Sequence, residues 1–225
     1  MKASQLVSHL KHKGNPRNLE SMAKFGINTR RAVGVSIPHL RALAKNIGAH
    51  HHLASDLWNS QIHEARILAA YIDDPLKVTE RQMEDWVDDF DSWDLCDQVC
   101  SNLFDRTEFA HRKAVEWSHR KEEYIKRAGY ALMACLAVHD KRANAAAFEK
   151  FFPLIMRGAT DERNYVKKAV NWALRQIGKR SMRLNREAIE VAKRISGMDS
   201  SSAKWVAADA LRELESEKIQ KRIKA

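Results

Sequence analysis

The chain has 225 residues, of which 44% are apolar and 30% charged, with a formal net charge of +10. That is apolar material enough for a sizeable core, while no apolar run approaches the roughly 18–20 residues a bilayer-spanning helix needs. The N-terminal "MKASQLVSHLKHKGNP" is interrupted by His9, Lys11, His12 and Lys13, which excludes the apolar stretch of a secretory leader.

Glycine numbers 8 and proline 4, which leaves little material for tight turns, and apolar residues recur at helical spacing almost throughout. In chain order the pattern predicts helices over 3–13, 17–25, 36–48, 53–58, 61–72, 79–89, 92–104, 107–118, 121–138, 143–157, 162–178, 183–195 and 199–214. Thr79, Ser92 and Thr107 stand where N-caps belong. Pro38 falls in a first turn, and Pro75 closes the helix before it. The charged tail 215–225, "ESEKIQKRIKA", is expected to fray. The whole is read as one domain, 1–225.

Three of these helices resemble one another. "KRAGYALMACLAVHDK" (126–141), "KKAVNWALRQIGKR" (167–180) and "KWVAADALRELE" (204–215) each run from a basic start through small residues to Ala-Leu. Leu132, Leu174 and Leu211 are the equivalent leucines, and "HEARILAAYIDD" (63–74) is a looser fourth copy. Two helices per roughly 40–47 residues is the period of HEAT-type repeats. Against an irregular bundle, the agreement of period and motif favours an all-α, HEAT-like helical-repeat solenoid with a concave basic surface.

Cys96 and Cys100 sit one turn apart on the helix over 92–104, and with Cys135 make three cysteines that cannot all pair. Their spacing suits buried thiols better than zinc ligation and points to a reducing, cytoplasmic location. Cys96, Val99, Cys100 and Leu103 form that helix's buried stripe. Trp93 and Asp97 lie beside the stripe, one turn apart, so an aromatic plate flanks a carboxylate. On its own such a pair is more often structural than functional.

Later helices add weight. Arg127 falls off the apolar face of 121–138, with Tyr124 a turn earlier. Along 162–178 the residues Tyr165, Lys168, Trp172, Arg175 and Lys179 run off the core at spacings near 3.5, interleaving aromatics with cations as nucleic-acid binders do. With the net positive charge, this makes a polyanionic partner the leading expectation. Trp58, Trp86 and Trp117 read as packing residues between repeats. "AHHH" (49–52) lacks a partner ligand at metal-site spacing. No P-loop, dinucleotide fingerprint, nucleophile elbow or HExxH is present, and neither cofactor nor metal is expected.

"SWDLCD" (92–97), "KRAGYALM" (126–133) and "KKAVNWALRQ" (167–176) resemble the AlkD-type DNA alkylation repair glycosylases, a family built of HEAT-like repeats. The resemblance runs from "GVSIPHLRALAK" (34–45) to "WVAADALREL" (205–214). The family's pattern is a Trp and an Asp four apart, an Arg in a later repeat and a Trp in the one after. Here it falls on Trp93, Asp97, Arg127 and Trp172. The resemblance implies base excision repair: hydrolysis of the N-glycosidic bond of alkylated purines, such as 7-methylguanine and 3-methyladenine, in double-stranded DNA. It further implies recognition from the backbone side, in a groove without a deep base pocket. Tyr165, Lys168, Arg175 and Lys179 would contact DNA, and the protein would stand alone as a monomer with no membrane association. A non-catalytic solenoid binding bent or branched DNA is the first alternative and a protein–protein scaffold the second.

Overall fold

Helix α12 (Asn164–Gly178) shows how the sequence builds the fold: Val166, Val170, Ala173, Leu174 and Ile177 recur on one stripe, and all are buried. The computed structural model describes residues 2–224, and among these there is helix and no strand. The helices cluster into two units, 1–108 and 109–225.

The first unit holds α1 (Ala3–His12), α2 (Pro16–Lys24), α3 (Ile37–Ile47), α4 (His51–Asn59), α5 (His63–Ile72), α6 (Glu80–Asp88), α7 (Trp93–Asn102) and a 3-10 turn, Phe104–Arg106. Its centre is α5, where nine of ten residues are buried; the helix packs on α1, α3, α4 and α7. Trp58 and Trp86 stack with ring centroids 3.9 Å apart. The Arg66 guanidinium lies over Trp58 and pairs with Asp89 at 2.7 Å. These tryptophans therefore pack between helices, as expected.

The second unit holds α8 (Ala110–Ser118), α9 (Glu123–His139), α10 (Ala145–Glu149), α11 (Phe152–Gly158), α12, α13 (Met182–Ser196), α14 (Ser201–Leu214) and α15 (Glu217–Lys224). Helix α9 lies between α8 and α12. Gly129 permits the α8 approach: a Cβ there would come within 2.4 Å of the Ser118 amide nitrogen. Trp117 is buried against this junction.

Four local expectations are corrected. The helix expected over 143–157 is two, because Pro153 lies in the first turn of α11 and has no N–H to continue a helix. Thr107 is not an N-cap: its hydroxyl donates to the Phe104 carbonyl at 2.8 Å, and α8 starts three residues later. The tail does not fray from 215. It forms α15, held by buried Ile219 and by Gln220, whose amide donates to the Leu214 carbonyl at 2.7 Å. Leu211 is half-buried, unlike Leu132 and Leu174, because Val206, Ala207, Ala210 and Leu214 form the core stripe of α14.

Candidate DNA-reading site

The first candidate set stands at the start of α7. Ser92 occupies the N-cap position, but its hydroxyl donates to Asp94 Oδ1 at 2.6 Å instead of capping. Asp94 Oδ2 lies 2.8 Å from His63 Nε2 on α5. Burial opposes charge on the imidazole, yet the hydrogen bond and charge of Asp94, aided by Glu64 and Asp91, raise the His63 pKa above its ordinary value. Burial likewise opposes charge on Asp94, and His63, the Ser92 hydroxyl and the Leu95 amide hold its pKa low. The hydrogen-bonded pair pins the first turn of α7 to the core helix.

That first turn carries Trp93, half-buried, whose indole Nε1 donates to the Phe25 carbonyl at 3.0 Å. Asp97 follows one turn later and is also half-buried, while Cys96, Val99, Cys100 and Leu103 face the core. The plate and carboxylate thus flank the stripe, as their spacing requires, and all three cysteines are buried thiols.

The second set lies on α9 and α12. Tyr165 stacks on Tyr124 with centroids 5.9 Å apart. Arg127 is corrected: it does not lie on an open flank but is 5% exposed, and its Nη1 donates to the Tyr165 carbonyl at 2.5 Å. The reason is the setting of α9, where twelve of seventeen residues are buried between neighbouring helices. Trp172 is half-buried and Lys168 exposed, with no acid partner for Lys168 among the described residues.

The stripe's other two cations are paired with acids. Arg175 Nη1 and Lys179 Nζ each pair with Glu213 at 2.6 Å, and Arg175 lies 3.6 Å from Asp209. Asp209 and Glu213 sit one turn apart on α14, directly against α12, so much of this positive charge is already neutralised.

The sequence reading missed His63, Asp94 and Phe25. The only local signal was Asp94, an acid in a first helical turn; the His63 contact spans 31 residues. Elsewhere, the His50 ring accepts from the Leu53 amide at 3.2 Å and His51 pairs with Asp73 at 2.6 Å. Among the described residues no group of three His, Cys, Asp or Glu side chains could hold a metal ion.

A family profile described as "DNA alkylation repair enzyme" matches residues 6–214. A solved structure described as representing "a new family of proteins related to the HEAT-like repeat DNA glycosylases with affinity for branched DNA structures" is similar in fold. Its TM-score is 0.81 at 20% identity, over 99% of this chain and 96% of that one. The sequence has no significant match among curated proteins.

Proposed function

The chain belongs to the DNA alkylation repair enzyme family, with a HEAT-like repeat fold, and we propose that it is an N-glycosylase for cationic alkylated purines in duplex DNA. The observation that carries this reading is the pairing of Trp93 with Asp97 on α7, both partly open to solvent and set on a helix start locked by the His63–Asp94 ion pair.

The chemistry suits one carboxylate. An alkylated purine already bears positive charge, so the C1′–N bond can break without an acid to protonate the base. The bonding pair leaves with the base and neutralises it. Glycoside hydrolases of the usual kind need a second carboxyl group for that step. Positive charge develops on the deoxyribose, where Asp97 stabilises it and orients a water. The water adds to C1′, and its proton passes through Asp97 to solvent. Trp93, one turn from Asp97 on α7, holds the sugar–phosphate backbone through its ring face. Arg127, 5% exposed, acts by fixing the Tyr165 backbone through its hydrogen bond to that carbonyl.

The test is release of free 7-methylguanine from methylated duplex DNA, in excess of spontaneous loss. A second reading, non-catalytic binding of branched DNA, draws support from the description of the structural relative and from the acid-paired state of Arg175 and Lys179. Tight binding to a four-way junction with no base release would select it.

A further inference from the structure

Where the C-terminal ends of α9 and α12 meet the start of α13, the second unit holds a cavity of about 710 Å³, inside the range of roughly 300–1,000 Å³ for small-molecule sites. Its polar lining is Lys141, Gln176, Lys179, Arg180, Ser181 and Arg222, and the rest is alanine, valine and leucine. Among the described residues no carboxylate lines it. Helix C-termini leave bare carbonyls, but here cations cover them. Arg180 donates to the carbonyls of Ala137 at 3.0 Å, Ala143 at 2.8 Å and Asp140, with its guanidinium 4.3 Å from the centre of the Phe148 ring. Arg222 Nη2 donates to the Lys179 carbonyl at 3.2 Å. These bonds fix two guanidinium groups at the cavity without neutralising them: neither they nor Lys141 form an ion pair among the described residues. The neighbouring acids are committed elsewhere. Asp140 holds His111 at 2.9 Å and the amides of Arg142 and Ala143, and Glu213 holds Lys179 and Arg175. The Ser181 oxygen accepts from the Leu184 amide at 3.3 Å, which leaves its O–H to donate and turns the positive end of the fifteen-residue α13 toward the same space.

We propose that this cavity binds a phosphomonoester, the terminal phosphate of a free nucleotide or of a DNA strand end. Such a group carries about −1.5 to −2 charge at neutral pH and offers three acceptor oxygens. Four cations, a hydroxyl and an amide meet that demand, and guanidinium forks suit phosphate geometry. A recess admits a phosphate at a chain end, whereas a phosphate within a duplex has chain on both sides. The cavity is also set apart from the first turns of α12: Lys168 lies eleven residues before Lys179, roughly 16 Å along a helix axis. Lys179 alone belongs both to the cavity and to the basic stripe. The inference goes beyond the glycosylase reading and needs no glycosidic cleavage.

The experiment measures equilibrium binding of the full chain, near neutral pH and at moderate salt, to two matched pairs. One is deoxyadenosine 5′-monophosphate and deoxyadenosine; the other is a short duplex with 5′-phosphate ends and the same duplex with 5′-hydroxyl ends. The phosphorylated member of at least one pair should bind roughly tenfold tighter or more, the scale of one charge-assisted hydrogen bond. Preference within the first pair assigns a free nucleotide, and preference within the second alone assigns a strand end. Lys141→Ala and Arg222→Ala change exposed side chains; each should cut the preference about tenfold and leave affinity for the 5′-hydroxyl duplex unchanged. No preference in either pair, or a preference that survives both substitutions, would overturn the proposal. Release of 7-methylguanine is read separately: release without the preference removes this site and leaves the glycosylase reading, and the preference without release does the reverse.

Discussion

Asp94 and Asp97 are three residues apart on one helix and are set to different tasks. Asp94 is held by His63 and Ser92, an anchoring task distinct from the one the proposed mechanism gives Asp97. The ion pair also sets a pH dependence. A raised His63 pKa contributes stability that is fully present below its unfolded value, about 6.5, and is lost as pH rises through the folded value. A depressed Asp94 pKa contributes stability present above about 3.9 and lost as pH falls through the folded value. Urea midpoints should therefore show this pair's full contribution between about pH 4 and 6.5. His63→Gln should flatten the loss on the alkaline side, and an unchanged alkaline limb would refute this. At this scale the sequence disclosed Trp93 and Asp97, because one helix's angular spacing suffices to set them off its core. It misplaced Arg127, because the enclosure of α9 depends on neighbours remote in sequence.

Among elements, packing register decides what spacing alone does not. Asn171 meets Asp209 at 2.6 Å and Arg175 meets Glu213, each pair 38 residues apart. The Ala-Leu match that equates Leu174 with Leu211 is offset by 37, one residue short of this contact register, and Leu211 is only half-buried. Helix identity was thus legible from apolar periodicity, whereas the facing of polar side chains required the partner helix. Pro153 was a readable break, and α15 was obscured because a charged segment hides a single buried anchor, Ile219. The α8–α9 junction permits a direct test. Any side chain at Gly129 meets backbone at Ser118, Trp117 and Ala114 within 3.0 Å, so Gly129→Ala should destabilise by about 1–3 kcal/mol in denaturant unfolding. A neutral result would mean that the helices can part at no penalty.

For the whole molecule, the net charge of +10 overstates the cations available to phosphate, because several are paired within the fold. Affinity for DNA should fall with salt, and each phosphate-contacting cation should contribute about 0.9 to the log–log slope. Lys168→Ala should lower that slope by about one unit, since Lys168 is exposed without an acid partner among the described residues. Arg175→Ala should lower it less, because Glu213 already pairs with Arg175. Glu213→Gln should strengthen binding by releasing Arg175 and Lys179; weaker binding would show that these cations face away from DNA. The repeat architecture was visible in the sequence because each repeat carries its own apolar stripe. The central claim is that Asp97 stabilises a deoxyribose becoming cationic. Its most direct test is single-turnover release of 7-methylguanine from duplex DNA by the parent and by Asp97→Asn at matched DNA occupancy. The account predicts a loss of about 100- to 1,000-fold, the scale of removing one preorganised electrostatic contact, with DNA affinity retained; release by Asp97→Asn at the parental rate would contradict it.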